Sequence, residues 1–440
     1  MHIVRDFQEK YFDLIDRNTI TVLLGPRRTG KSTFAEQYLT TKKNIEKIYF
    51  NFDSFSTRDE ITKHGLEKLI PKATNKNEIV IFIDEVQKVP RILEDIKMIF
   101  DKQKSKKEKI YRFLLTGSAS LNIHKNVSET LAGRVNLLRI YPFSFQEAAK
   151  IKENFSVPAL EINKIFNSKT SFQDLIKYKE RWDIPTSLHI FSKPLINELI
   201  EYGSLPEILE LNETEDKQRF LTNYRDTYLE RDIRADTNVG DLARYSNLLT
   251  LLGSQSGSLI VKKDLKEKAG IAYDTLDNYL SILKATYILQ ELEPYIFSAS
   301  KRLVKSSKCY FFDNGILALL TGFLNFEQLL TTGLIGNRFE NMVINEIIKK
   351  INPSFPITDF FFWRSAGGKE IDLIIDFKEK IIPCEIKWTD NISQVKIGAL
   401  INFLKDYKKA LYGVVIYNGE FFIDKTHKIV YLPIAHLLYF

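Results

Sequence analysis

One short segment constrains the fold of this chain more than any other: an apolar run followed by a basic loop that glycines enclose. Residues 20–24 read ITVLL, which is typical of a strand buried on both faces, and Gly25 ends the run. From Lys31 to Leu39 the apolar residues have helical spacing. Between these segments, residues 25–32 read GPRRTGKS and match the phosphate-binding pattern G-x-x-x-x-G-K-[ST] in full. The sequence therefore predicts a strand, a phosphate-binding loop and a helix.

The residue types of this loop suit a polyphosphate ligand. Glycine has no Cβ, so backbone N–H groups can approach the ligand closely, and the helix that follows offers its positive end. Lys31 can reach the terminal phosphates, and the Ser32 hydroxyl is suited to ligate Mg²⁺. We therefore expect ATP and Mg²⁺ as cofactors. The predicted nucleotide-binding set is one continuous run: Gly25, Pro26, Arg27, Arg28, Thr29, Gly30, Lys31, Ser32 and Thr33. The pattern does not require the two arginines, which we expect to be solvated or to pack on neighbouring loops.

Two further apolar segments predict strands that end beside this loop. The segment NEIVIFIDEVQ carries Asp84 and Glu85 at its end, and a carboxylate at the end of a parallel strand lies next to the phosphates. We expect Asp84 to complete the Mg²⁺ shell and Glu85 to orient or deprotonate the attacking water. The segment YRFLLTGSAS places Thr116 and Ser118 at a third strand end. A hydroxyl there either senses the γ-phosphate or caps the strand.

Taken in order, GPRRTGKST, IFIDEVQKVP, FLLTGSAS, LAGRV and YPFSF resemble a prokaryotic AAA+-type P-loop ATPase family with a restriction-endonuclease-like C-terminal domain. The resemblance covers residues 1–150 closely and the rest in outline. It implies ATP hydrolysis and an assembly of several copies of the chain. It also implies that Arg134, in LAGRV, stabilises transition-state charge in its own chain or across a subunit interface. The alternative for Arg134 is a structural ion pair.

The middle of the chain predicts helices and then a winged helix-turn-helix. Near the end of a helical stripe, Arg231 and Arg234 are expected to be charges of a helix end rather than contacts to a neighbour's nucleotide. The segment after Leu259 has the order of a winged helix: a short helix, a turn at Gly270, a second helix and the strand-like YILQELE. The second helix is acidic, with Asp274 among its exposed residues, whereas a DNA reader needs lysine or arginine. We therefore expect this module to pack against protein.

The C-terminal part contains a hairpin with charged residues on one face. Folding GKEIDLIIDFKEKIIPCEIKW about its central Lys-Glu pairs Phe377 with Lys380 and sets Asp372 opposite Glu385. Lys387 shares the face of Glu385, because the two are two residues apart. Paired carboxylates can hold a divalent ion beside a scissile phosphate, and a lysine can position water. The hairpin therefore predicts a metal site, with Asp372 and Glu385 as its ligands.

These residues also resemble the PD-(D/E)XK nuclease superfamily. The pattern is Glu340 on an upstream helix, Asp372, and Glu385-x-Lys387, and it departs from the superfamily because no proline precedes Asp372. The resemblance implies a nuclease that uses Mg²⁺ or Mn²⁺, with all four side chains catalytic. The alternative is a surface hairpin whose charges, Glu370 included, form a ladder of ion pairs.

Composition sets the remaining limits. A chain of 440 residues is longer than one domain, and a net charge of +7 is compatible with nucleic-acid binding or with a lysine-rich surface. Two cysteines, Cys309 and Cys384, favour a reducing compartment. The charged N-terminus is unlike a signal peptide, and no apolar run approaches the roughly 18 residues of a membrane span. We expect a cytoplasmic protein without membrane contact.

Together these observations predict a multidomain α/β protein in four parts. The predicted parts are a P-loop ATPase core at 1–150, a helical lid at 151–240, a winged-helix-like module at 241–300 and a restriction-endonuclease-like domain at 301–440. The predicted function is a Mg²⁺-dependent ATPase, as a homo-oligomer, coupled to a nuclease-like domain that acts on DNA or RNA. The alternative is an ATP-gated regulatory or assembly switch whose nuclease-like domain only binds.

Overall fold

A computed structural model gives the arrangement of most of the chain. The residues it describes are 3–70, 78–105, 110–118, 129–153, 164–177, 186–229, 241–296 and 306–439. Arg231 and Arg234 lie outside these residues, as does the side chain of Ser118. No helix in the described ranges is long and apolar enough to cross a bilayer.

The first part of the chain is a parallel five-stranded sheet with strand order β2-β3-β4-β1-β5. Its strands are β1 (Ile20–Gly25), β2 (Glu46–Asn51), β3 (Glu78–Asp84), β4 (Ile110–Ser118) and β5 (Val135–Arg139). The associated helices are α1 (Gln8–Arg17), α2 (Lys31–Thr41), α3 (Phe55–His64), α4 (Leu66–Leu69), α5 (Ile92–Ser105) and α6 (Phe145–Glu153). The predicted α/β fold with a buried parallel sheet is confirmed.

Strand β1 shows why this sheet forms. All six of its residues are buried, and their side chains alternate between the two faces of the sheet. Leu23 packs in one cluster with Phe34 and Tyr38 of α2, whereas Val22 packs in the other with Ile96 of α5. Helices therefore cover both faces, which is the arrangement that an uninterrupted apolar strand requires.

Helices dominate the middle of the chain. They are α7 (Phe172–Lys177), α8 (Thr186–Tyr202), α9 (Pro206–Glu210), α10 (Thr214–Tyr224) with a π-helical turn at Arg225–Leu229, α11 (Leu242–Ser254), α12 (Lys262–Ala269) and α13 (Tyr273–Ala285). Between α12 and α13, Gly270 has a φ of +66° in the left-handed region, as the predicted turn requires. The side of α13 that faces the protein is apolar, and Leu276 and Leu283 are among its buried residues.

The last part is an eight-stranded mixed sheet with strand order β12-β13-β11-β10-β9-β8-β6-β7. Its strands are β6 (Leu289–Pro294), β7 (Lys308–Phe311), β8 (Asp359–Arg364), β9 (Glu370–Asp376), β10 (Ile381–Lys387), β11 (Gly413–Tyr417), β12 (Phe422–Asp424) and β13 (Ile429–Pro433). Its helices are α14 (Asn314–Thr321), α15 (Phe326–Thr331), α16 (Ile335–Ile351) and α17 (Gly398–Asp406).

The strand that follows the helix-turn-helix does not form an isolated wing. Strand β6 pairs with β7 in antiparallel fashion on one side and with β8 in parallel fashion on the other. It therefore belongs to the C-terminal sheet. The boundary expected at residue 300 falls between β6 and β7, which are paired strands of that sheet. The pairing of β6 with β8 joins distant segments and leaves no mark in the sequence.

Candidate functional site

The phosphate-binding loop is tightly folded at its first glycine. A Cβ at position 25 would lie 2.1 Å from the carbonyl oxygen of Ile140, and the φ of Gly25 is +157°. Gly30, with φ +82°, is the residue before α2, so the loop leads directly into the helix N-terminus. Gly25 is therefore required because the backbone of Ile140 lies so close to it, and Gly30 is required because its backbone is left-handed.

Lys31 is held inside this loop. Its side chain is buried, and its Nζ donates to the carbonyl oxygens of Gly25 at 3.2 Å and Pro26 at 2.7 Å. Burial lowers the pKa of Lys31 to about 8, and the nearby carboxylates of Glu85 and Asp84 oppose that shift. Lys31 therefore remains mostly charged at neutral pH, as phosphate binding requires.

Asp84, at the end of β3, accepts hydrogen bonds from two hydroxyl groups. Its Oδ1 accepts from Ser32 Oγ at 2.8 Å and from Thr116 Oγ1. The Thr116 hydroxyl also accepts from the backbone N–H of Glu85 at 3.2 Å. The Ser32 hydroxyl and the Asp84 carboxylate are hard oxygen donors side by side, and they fit a Mg²⁺ ion. Thr116 is fully buried, and its hydrogen bond holds the Asp84 carboxylate in position.

Glu85 has a backbone conformation that is uncommon for its residue type. Its φ is +58° and ψ is +48°, in the left-handed region. Such strain is concentrated at functional sites. The Glu85 carboxylate accepts a hydrogen bond from the Gln87 side-chain amide, and Glu85 lines the same cleft as Lys31. The site residues Asp84, Glu85 and Thr116 are therefore brought together with the loop.

The cleft above the loop has a volume of about 660 Å³, within the range of small-ligand sites. Besides the loop, its walls come from distant parts of the chain, including Ile3, Phe143 and Pro206. Arg28 reaches across to this wall, where its Nη1 lies 2.7 Å from Glu207 Oε1. The loop and helix α9 are thereby joined by a half-exposed ion pair.

Arg5 is a residue of this site that the sequence did not reveal. It is buried, and its Nε lies 3.0 Å from Glu147 Oε1. Its Nη1 donates to the carbonyl of Thr29 at 3.1 Å, and its Nη2 donates to the carbonyl of Tyr141 at 2.7 Å. Arg5 thus ties the phosphate-binding loop to the turn before α6. Nothing in the local sequence distinguishes it from the other charged residues of the N-terminus.

Arg134 does not lie beside the loop of its own chain. It precedes Val135, which pairs with Ile20 at the start of β1, whereas the loop follows the end of that strand. The length of β1, six residues, separates the two edges by roughly 16–20 Å. The expectation that Arg134 acts on the nucleotide of its own chain is therefore corrected. Arg134 Nε lies 3.2 Å from Asp101 Oδ1, so the ion pair of the structural alternative is present, and a role across a subunit interface stays a prediction.

The predicted register of the C-terminal hairpin is confirmed. Ile381 pairs with Asp376 and Cys384 with Leu373, and this register places Glu385 opposite Asp372. Asp372 Oδ2 accepts from Lys387 Nζ at 2.9 Å, and the same ammonium lies 2.9 Å from Glu385 Oε1.

Asp372 and Glu385 lie in an enclosed environment. Each carboxylate is buried, and Asp372 also accepts from the backbone N–H of Ile386 at 2.8 Å. Burial raises the pKa of Glu385 to about 8, and the neighbouring Asp372 charge adds to the shift. Glu385 Oε2 has no hydrogen-bond partner among the described residues.

A buried lysine from a distant strand completes this cluster. Lys308, at the start of β7, places its Nζ 2.5 Å from Glu370 Oε1, 3.4 Å from Glu340 Oε1 and 3.8 Å from Asp372 Oδ1. Glu340 also accepts from Tyr310 OH at 2.5 Å. These carboxylates together raise the pKa of Lys308 and outweigh the effect of burial, so its ammonium stays charged.

These contacts change the expectation of a metal site. Across the part of the chain that the structure describes, no group of three or more His, Cys, Asp or Glu side chains could hold a metal ion. Glu340 does not join Asp372 and Glu385 in such a group, and the ammonium group of Lys308 contacts both Glu340 and Asp372. Lys308 and Lys387 both contact Asp372, so two ammonium groups offset the negative charge of the paired carboxylates.

Helix α16 connects the two sites. Toward its C-terminal end, Lys349 Nζ donates to the carbonyl of Phe143, a residue of the cleft wall, at 2.9 Å. One turn earlier, Glu346 Oε1 accepts from the backbone N–H of Phe145 at 2.9 Å. Glu340, on the same helix, contacts Lys308 in the C-terminal cluster. About 13 Å of helix separates Glu340 from Lys349.

Three domain families match separate parts of the chain. Residues 17–149 match a AAA domain family, and residues 193–327 and 335–437 match two domain families of unknown function. Residues 17–149 are therefore similar to an AAA domain, which supports the predicted P-loop core. The C-terminal match does not identify a nuclease.

Relatives span nearly the whole chain. An uncharacterized protein of Methanocaldococcus jannaschii is 26% identical over 432 residues, covering 94% of this chain and 87% of the relative. An uncharacterized protein of Mycobacterium tuberculosis is 23% identical over 436 residues, covering 99% and 84%. Among solved structures, a Walker-type ATPase of Pyrococcus abyssi covers 72% of this chain and 96% of its own, with 14% identity and a TM-score of 0.45.

Proposed function

We propose that the chain binds ATP with Mg²⁺ in the cleft above the phosphate-binding loop and hydrolyses the γ-phosphate. The observation that carries this proposal is the convergence of Lys31 and Ser32, at the start of α2, with Asp84 and Glu85, at the end of β3. Ser32 and Asp84 would hold Mg²⁺, which would supply positive charge to stabilise the charge that develops on the phosphates.

Each side chain then has a separate task. Lys31 turns from its loop carbonyls to the terminal phosphates, and Ser32 and Asp84 supply oxygen ligands. Glu85 accepts a proton from, or orients, the attacking water. Thr116 keeps Asp84 in place through the hydrogen bond that joins them.

Two substitutions test this assignment. Lys31→Ala should remove most ATP affinity in a folded protein, and Glu85→Gln should keep ATP binding and lose turnover. Calorimetric titration and a phosphate-release assay separate the two effects, with Arg17→Gln, at an exposed ion pair on α1, as a matched control. Unchanged ATP affinity in folded Lys31→Ala, or wild-type turnover in Glu85→Gln, would remove the corresponding role.

For the C-terminal domain, we propose that it binds a partner under ATP control and does not cut nucleic acid. The observation in favour is Lys308, whose ammonium group lies among the carboxylates that would otherwise ligate a metal. The nuclease remains the second candidate, because Asp372, Glu385 and Lys387 share one sheet face and Glu385 Oε2 has no partner among the described residues.

One experiment separates these two candidates. Purified protein is incubated with plasmid DNA and with RNA, in Mg²⁺ or Mn²⁺, with and without ATP, beside an Asp372→Ala variant. We expect no cleavage in any condition. Cleavage that disappears in Asp372→Ala while ATP hydrolysis continues would establish the nuclease and exclude the binding-only function.

We also propose that the ATPase works as a homo-oligomer in which Arg134 acts on a neighbour's nucleotide. Arg134 is partly exposed and lies at the sheet edge opposite its own phosphate-binding loop. Arg134→Ala should lower ATP turnover without weakening ATP binding. Light scattering that shows a monomer with normal hydrolysis, with and without nucleic acid, would exclude this role.

A further inference from the structure

A second cavity lies at the open edge of the first sheet. Its volume is about 360 Å³, and its walls are β5 and α1 of the ATPase domain, Tyr287 after α13, and residues 352–356 after α16. None of its described lining residues also lines the nucleotide cleft. Lys10 and Arg139 both line it, and no described aspartate or glutamate does. The cavity is therefore basic.

Arg139 is the central group of this cavity. Its guanidinium lies over the ring of Tyr287 at 5.1 Å and over that of Tyr141 at 5.9 Å. Burial raises the pKa of Tyr287, so its hydroxyl stays neutral. No carboxylate forms an ion pair with Arg139 among the residues the structure describes, although partly buried guanidinium groups are usually paired with anions.

Two further side chains that line the cavity have N–H groups that are not hydrogen-bonded to described residues. Asn136 lines the cavity, and its Nδ2 is enclosed without a hydrogen-bond partner among the described residues. Lys10 Nζ donates to the carbonyl of Ser354 at 2.9 Å, which leaves two of its three N–H groups for other acceptors. A buried polar atom without a partner in the protein requires one from outside the chain, and a water molecule, an ion or a ligand can supply it.

We propose that this cavity binds a small dianion, either a phosphate group or a dicarboxylate. The Arg139 side chain hydrogen-bonds the Tyr141 and Tyr287 side chains, and the remaining N–H groups of its five can donate to such an anion. Lys10 and Asn136 contribute donors from α1 and β5, and the volume suits a small molecule rather than a macromolecule. A bound dianion would join the ATPase domain to the segments after α13 and α16.

The test uses calorimetric titration of the full chain with inorganic phosphate and, separately, with succinate. Phosphate is titrated into the Lys31→Ala variant so that the phosphate-binding loop does not compete. We expect millimolar or tighter binding of at least one anion, and a Kd at least tenfold higher when Arg139→Gln is added. Arg17→Gln, which changes an exposed arginine at the end of α1 that does not line the cavity, should leave the Kd unchanged.

The outcomes separate the sources of the anion. Binding of phosphate alone identifies a phosphorylated ligand, and binding of succinate alone identifies a dicarboxylate. If Arg139→Gln fails to fold, Lys10→Gln, at an exposed position, should still weaken binding several-fold. No binding of either anion, or equal Kd values with and without Arg139, would overturn the proposal. Neither result depends on ATP hydrolysis, so the proposed ATPase function is tested independently.

Discussion

Glu346 should make the stability of this protein fall as pH rises through neutrality. Its side chain on α16 is fully buried, Oε1 accepts one backbone hydrogen bond from Phe145, and Oε2 has no partner in the described structure. Burial raises the pKa of Glu346 from its ordinary 4.5 to about 7, although the charges of Lys349 and Lys350 oppose the shift.

The sign of the effect follows from the raised pKa. The folded chain holds the Glu346 proton more tightly than the unfolded chain, so the neutral form stabilises the fold. This contribution is fully present below pH 4.5 and is lost as pH rises through about 7. A shift of this size corresponds to about 3 kcal/mol between the two limits, since each pKa unit is worth about 1.4 kcal/mol.

Glu346→Gln removes the titration and keeps a neutral side chain of similar shape. Thermal unfolding of wild type and variant is compared at several pH values from 5 to 8, beside Glu9→Gln at an exposed site. The two proteins should unfold at similar temperatures at pH 5, and the variant should become relatively more stable toward pH 8. Parallel pH profiles for wild type and Glu346→Gln would refute a buried, titrating Glu346.

Three further substitutions follow from contacts described above. Arg5→Met should lower the free energy of unfolding by about 3 kcal/mol, because it leaves the Glu147 carboxylate buried without its cation, and adding Glu147→Gln should recover part of the loss in thermal unfolding. Gly25→Ala should weaken ATP binding at least tenfold by calorimetry, since its Cβ would meet the Ile140 carbonyl at 2.1 Å. If the affinity is unchanged, the close approach at this glycine does not shape the loop. Lys308→Met should destabilise the chain more at pH 8 than at pH 5, because three carboxylates lose their shared cation. An equal loss at both pH values would contradict that reasoning.

The parts of the structure that the sequence predicted are those that local patterns specify. A strand that is apolar at every position must be covered on both faces, so β1 and its loop could be placed from a dozen letters. The hairpin of β9 and β10 could be registered because side chains alternate with a period of two and its turn is short.

The parts it did not predict depend on contacts between distant segments. Lys308 and Asp372 are 64 positions apart, and their approach follows from the order of strands in the C-terminal sheet. Arg5 and Glu147 are separated by 142 positions. A single sequence carries no periodicity that pairs such residues, so the neutralising lysine and the arginine beside the loop were both missed.

The position of α16 has a thermodynamic consequence. One continuous helix contacts the wall of the nucleotide cleft through Lys349 and the C-terminal cluster through Glu340. If ATP displaces the carbonyl of Phe143 to which Lys349 donates, and α16 moves with it, the binding free energy of a ligand that contacts the cluster changes too. Linkage is reciprocal. If ATP changes the affinity of the protein for such a ligand by some factor, the ligand changes the affinity for ATP by the same factor. A partner of the C-terminal domain can therefore be recognised, before its chemistry is known, as a substance that alters the Kd for ATP.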